Sequence, residues 1–188
     1  MQNGAIIEGV LRACGIGAVA TLLGYCGAAA FAAPRRATRR VAWGLAIACF
    51  VTPPLLVGYA YANFTGISCL PPGLREGAYA LLVIARLVPV TATIWLMAPA
   101  KISAESWFCL RLLWPRLGRR DRLRHLWQLA RGGPLTASLA VFGVAYIIAF
   151  TEFEVASFLG VSHWTVAIFD AQVGGLPILA TLRQVAPA

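Results

Sequence analysis

The residues of this 188-residue chain that could ligate, attack or move protons are two histidines, seven acids, five cysteines and a few hydroxyls. Their spacing argues against most of that chemistry. His125 lies in the basic run RRDRLRHLWQLAR, and His163 follows the last long apolar block. On the topology derived below they fall on opposite sides of a membrane and cannot share a metal ion. Glu152 and Glu154 are two residues apart, so on a helix they point to different faces and do not form a catalytic carboxylate pair. Cys14, Cys26, Cys49, Cys69 and Cys109 are odd in number and contain no CxxC. Three of them sit inside apolar blocks, where cysteine acts as a small hydrophobe, so neither a metal site nor a disulfide framework follows. No GxSxG, HExxH or phosphate-binding glycine loop is present. The apolar block that carries Ser138 holds no histidine. The sequence therefore predicts a chain that is not an enzyme and has no cofactor and no metal.

Charge in apolar surroundings is the remaining signal. Arg86 lies inside an apolar block, and a central arginine there costs about 2.5–3.5 kcal/mol on insertion scales. It must snorkel to the interface or be paired. Glu152 and Glu154 lie on the same side and are its candidate partners.

These residues need elements to hold them, and the composition says which. The chain is 60% hydrophobic and 12% charged, with a mean hydropathy of +0.75. Its apolar residues cluster in blocks of about 20, the helical length that crosses about 30 Å of hydrocarbon. The ~10-residue alternating segments of a membrane barrel do not occur. The fold class predicted is all-α: a polytopic helical membrane protein with about four transmembrane helices and a cytoplasmic helical elbow. The spans fall at about 13–33, 41–62, 78–99 and 134–150, in one transmembrane domain covering 1–188. The first is rich in glycine and alanine, as close helix packing in lipid requires. The second contains Pro53 and Pro54, which remove backbone donors and kink or break the helix. Backbone broken at membrane depth is tolerated where protein or a water-filled cavity covers it.

Charge placement gives the orientation. The formal net charge is +9, and twelve of the sixteen cations lie in two stretches, 34–40 (PRRATRR) and 101–133. Five of the seven acids (Glu8, Glu76, Glu152, Glu154 and Asp170) lie elsewhere. That partition follows the positive-inside rule, with both basic stretches cytoplasmic and the N-terminus outside. It also argues against nucleic acid, which would call for cations interleaved with aromatics on a folded platform. Apolar residues run straight into an arginine-rich stop, so no cleavable signal peptide is expected.

Within 101–133, Leu123, Leu126, Trp127 and Ala130 follow i, i+3, i+4, i+7, one face of a helix. SAESWFCLRLLWP before it predicts a second short helix stopped by Pro115, and the two form an elbow. Such helices suit either the lipid interface, basic face to anionic headgroups, or docking to a partner protein. The fourth span could be lengthened by TEFEVASFLG. The stretch after Gly160 is interrupted by Asp170, Gly174, Gly175 and Pro177, and predicts a re-entrant or surface segment or the stub of a further helix.

The order of these features resembles the permease subunits of binding-protein-dependent ABC importers, in the ferric-iron and thiamine branch. A glycine-rich span, PRRATRR, and VAWGLAIACFVTPPLLVGYAYA look like the family's helix, basic loop and proline-kinked helix. The long basic loop falls where the family places its coupling helices. GGPLTASLAVFGVAYIIAFTEFEVASFLG and WTVAIFDAQVGGL look like the segments that follow. The resemblance implies a multi-pass protein of the bacterial inner membrane that forms half of a translocation path. Its implied partners are a second permease subunit, a cytoplasmic ATPase and a periplasmic binding protein. Path residues would be Pro53, Pro54, Arg86, Glu152 and Glu154; coupling residues would be Gly118, Leu123, Leu126 and Trp127. The loop departs from the family pattern. Glu105-Ser106-Trp107 is followed by no glycine three residues on, and aligning Gly118 with that glycine puts Leu112 at the glutamate position. The alternative class is a non-transporting structural or assembly subunit of a membrane complex.

Overall fold

A computed structural model describes residues 5–64, 71–98, 104–114, 118–131, 133–177 and 179–180. Among them every regular element is a helix: α1 (Ala5–Phe31), α2 (Arg36–Val51), α3 (Pro54–Phe64), α4 (Pro72–Met97), α5 (Ala104–Leu113), α6 (Arg119–Arg131), α7 (Pro134–Phe150), α8 (Glu154–Leu159) and α9 (Trp164–Val173). The all-α expectation holds. Two helices, α1 from Ile6 and α4, are long and apolar enough to cross a bilayer, and the bent pair α2–α3 would make a third. α7 is a shorter apolar helix of 17 residues, about 26 Å at 1.5 Å per residue.

α1, α4 and α7 form the central bundle. Arg12 of α1 meets Glu76 of α4, and fifteen residues on Gly27 meets Ala92, so the two helices run parallel. α7 runs against them, with Gly17 beside Tyr146 and Gly9 beside Phe150. Small residues let these backbones close in, since lipid supplies no hydrophobic drive between helices. A Cβ on Gly24 would lie 2.7 Å from Thr91 Cβ and 3.0 Å from the Ala92 backbone nitrogen, so α1 and α4 can touch there only without a side chain. Thr91 Oγ1 sits 3.0 Å from the Ala20 carbonyl and Trp95 Nε1 donates to the Thr21 carbonyl at 3.2 Å, which ties α4 to α1 across the contact. Ala13, Ile16, Tyr79, Val83, Leu87, Ala145 and Ala149 fill the core, and Val155, Ala156, Leu159 and Val161 cap it at one end.

The helices do not share all their bounds with the expected spans. The segment 41–62 breaks where Pro53 and Pro54 stand, into two helices whose axes turn by 86°. Pro53 has no N–H to continue the ladder beyond Thr52, and Pro54 opens the next helix where a missing donor costs nothing. α3 then packs on α8, with Gly58 under the Phe158 ring. The third helix starts at Pro72 rather than 78, because Pro72 at its first turn has φ already set for a helix. Half of the loop expected at 63–77 is thus helical, and residues 65–70 lie outside the described residues. α7 ends at Phe150 and is not lengthened by TEFEVASFLG: Trp164 Nε1 donates to the Phe150 carbonyl at 2.7 Å, which satisfies the helix end from outside. The tail after Gly160 contains the helix α9, which stops at Gly174 and Gly175; residues 181–188 lie outside the described residues.

At the opposite end from Arg12 and Glu76, the basic stretch between α4 and α7 forms the two expected short helices, α5 and α6. Pro115 and the Arg116–Leu117 part of the turn between them lie outside the described residues. The Arg122 guanidinium stacks over the Trp114 ring, 5.3 Å from its centroid.

Candidate functional site

The charged groups that the apolar helices carry inward meet in one half of the bundle, on the side where α4 begins and α7 gives way to α8. Arg86 is the fifteenth of the 26 residues of α4, deeper than its sequence position in a span of 78–99 implied. Glu152 follows the end of α7 directly and is 7% exposed. Its Oε2 accepts from Arg86 Nη1 at 2.9 Å, and its Oε1 accepts the Val155 backbone N–H at 3.3 Å, which caps the first turn of α8. One carboxylate thereby neutralises the intramembrane arginine and fixes the start of the next helix. An unpaired charge in that position would be costly, which is why such groups occur in couples.

Of the two acids proposed as partners for Arg86, the structure selects Glu152. Glu154 opens α8, and its Oε2 is buried without a hydrogen-bond partner among the described residues. The split follows from where the helices end: Glu152 lies in the link between α7 and α8, whereas Glu154 is the first residue of α8. Pro53 and Pro54 form the α2–α3 corner. They reach the pair indirectly, through α3 on α8 and α8 on its Glu152 cap.

A second layer lies further toward the α4 N-terminus. Arg12 Nη2 donates to Glu76 Oε1 at 3.0 Å, Arg12 Nη1 donates to the Ser162 carbonyl at 2.8 Å, and the guanidinium sits 5.9 Å from the centroid of Tyr79. Tyr79 is fully buried, and its hydroxyl has no hydrogen-bond partner among the described residues. The His163 ring is 6.3 Å from the Tyr79 ring. His163 Nδ1 accepts the Thr165 backbone N–H that opens α9 and lies 2.8 Å from Thr165 Oγ1, whose hydroxyl reaches the Glu152 carbonyl at 3.3 Å. Burial first, and the positive charge of Arg12 second, push the His163 imidazole down to about 4, so it is neutral at physiological pH. A buried base beside two ion pairs can hold helices in register or respond to their separation. Among the described residues no group of three or more metal-ligating side chains comes together.

Arg12, Glu76, Tyr79, His163 and Thr165 were not identified from sequence. Arg12 sits one residue before the apolar block, where it passes for a flank. His163 belongs to the interrupted tail, whose docking onto α1 and α4 has no periodic signature. An arginine just inside the acidic end of a span is the one signal that pointed to the site, since the positive-inside rule leaves it unexplained.

The proposed coupling residues lie at the other end. Gly118 precedes α6 and accepts the Arg122 N–H through its carbonyl at 3.0 Å. Leu126 is half-buried, whereas Leu123 and Trp127 are 62% and 58% exposed. The face they share is therefore only partly covered by the chain itself.

Fold and site define a helical membrane protein with a buried ionic network at one end and a basic helical elbow at the other. Compared with protein-family models, curated proteins and solved structures, the chain matches none.

Proposed function

We propose that this chain is a permease-like subunit of an ABC-type importer in a bacterial inner membrane. It crosses the bilayer four times, with 34–40 and 101–133 cytoplasmic, and forms half of a translocation path with a second permease subunit. A cytoplasmic ATPase docks on α6, and a periplasmic binding protein meets the opposite face. The observation that carries the reading is mechanical continuity. The elbow α5–α6 stands between α4 and α7 in the chain, and those two helices lead to Arg86 and Glu152, so on this reading a displacement of the elbow reaches that ion pair. The exposed Leu123 and Trp127 supply an apolar contact, and the surrounding arginines favour an acidic docking cleft. The chain itself hydrolyses nothing on this reading and holds no cofactor.

The test is site-specific photocrosslinking from position 127 in native membranes. The expected product is a nucleotide-binding subunit whose yield changes with ATP and falls at least tenfold with Leu126→Glu. A product that lacks nucleotide-binding activity and ignores ATP would overturn the reading. One observation favours the structural or assembly alternative: Glu152 is closed off by Arg86 and Val155 and offers a substrate little surface. Crosslinking to a large assembly that ignores ATP is the outcome that alternative requires.

A further inference from the structure

Between α2 and α4, toward the basic end, lies an almost wholly apolar groove of about 350 Å³ lined by Trp43, Ile47 and Phe50 on one side and Pro89, Val90 and Ile94 on the other. Trp43, at the basic end of the α2 wall, packs on Phe31 of α1 with ring centroids 4.8 Å apart. The α2 wall continues as a charged stripe. Arg36, Arg39 and Arg40 stand seven, four and three residues before Trp43, within about one quadrant of the groove face at 100° per residue. All three are exposed. From Arg40 to Phe50 is ten residues, about 15 Å, the depth of one leaflet's hydrocarbon.

We propose that this groove and its arginine rim hold one anionic phospholipid of the leaflet at the basic end. Its phosphate lies on Arg36, Arg39 and Arg40, and one acyl chain runs past Trp43 and Ile47 to Phe50. Charge complementarity selects this occupant. α2 contains no acid, and the rim offers guanidinium groups in the layer where lipid phosphates lie. A second copy seated symmetrically on the same face would set one arginine stripe against its twin, a like-charge contact with nothing to neutralise it. A zwitterionic lipid would satisfy the groove but not the rim. The assignment stands apart from the transport reading, because it needs only the bilayer and these two helices.

Native mass spectrometry of the full detergent-solubilised chain tests it, with phosphatidylglycerol and phosphatidylcholine of identical acyl chains offered together. At least about a tenfold preference for phosphatidylglycerol is expected. Arg36→Gln, which leaves three of the four loop arginines to orient the chain, should lower that retention about fivefold, the effect of one cation at a membrane surface. Arg36→Lys should restore most of it. Ile47→Trp, on the exposed wall, should cut retention of both lipids with the charge unchanged. Equal retention of the two lipids would overturn the proposal, as would equal losses from Arg36→Gln and from Arg124→Gln on α6. Conversion of the chain to a different oligomer by Ile47→Trp, with lipid retention unaltered, would assign the groove to a second copy instead.

Discussion

At one end of the bundle Arg12 and Arg86 each meet a carboxylate at 3.0 and 2.9 Å, and in each pair one member is largely buried, Arg12 in the first and Glu152 in the second, while Glu76 and Arg86 stay partly exposed. At the other end Arg35, Arg36, Arg39 and Arg40 stand exposed on a helix without a single acid, and Arg119, Arg120, Arg124 and Arg131 are exposed along α6. The same side chain thus has two functions in one molecule. Inside, it is a structural cross-link whose partner is fixed by folding. At the basic end it is an exposed surface charge whose surroundings the fold of this chain does not fix. The difference is dielectric: a charge pair away from water interacts strongly but cannot lose one member cheaply, whereas an exposed charge is screened and replaceable.

The contrast can be broken most directly at Glu152. Glu152→Gln leaves Arg86 without a counter-charge, and about 3 kcal/mol of stability should be lost in SDS-driven unfolding. Adding Arg86→Met should recover most of that loss; a double variant no better than the single one would show that the pair is not coupled. The next effect comes from His163. Its folded pKa, about 4, lies below the unfolded 6.5, so the unfolded chain binds more protons between those values. Stability should be constant above pH 6.5 and fall by up to about 3 kcal/mol as pH drops to 4. His163→Asn should flatten that slope, which thermal unfolding in detergent against pH measures. Arg12→Gln removes the bonds to Glu76 and to the Ser162 carbonyl, but Glu76 is half exposed, so about 1–2 kcal/mol is expected. Smallest of all, Arg124→Gln on α6 should change stability by no more than about 0.5 kcal/mol. A loss there as large as at Arg12 would erase the distinction between the two ends.

How far the sequence went can be read from particular residues. Block length and composition were enough for an all-helical membrane chain, and the i, i+3, i+4, i+7 pattern in RRDRLRHLWQLAR was enough for α6. Arg86 announced itself because a cation at that depth requires a counter-charge. The partner could be narrowed to two glutamates and no further, because the choice between Glu152 and Glu154 depends on where α7 stops. That stop is set by Trp164, fourteen residues downstream, whose indole N–H takes the Phe150 carbonyl. The place of His163 and Arg12 in the site could not be read for the same reason: each is polar beside an apolar block, and only the packing of the tail onto α1 and α4 brings them together.

What the sequence determined by itself were properties that each segment carries alone: hydropathy against the thickness of hydrocarbon, the break at Pro53-Pro54, and the separation of cations from acids along the chain. Tertiary structure decided everything that needs two segments at once: the 86° turn that lays α3 on α8, the choice of Glu152 for Arg86, and the burial that holds His163 neutral. The physical reason is that transfer to lipid is a sum over local residues, whereas a buried charge is stable only where distant parts of the chain bring its partner within about 3 Å.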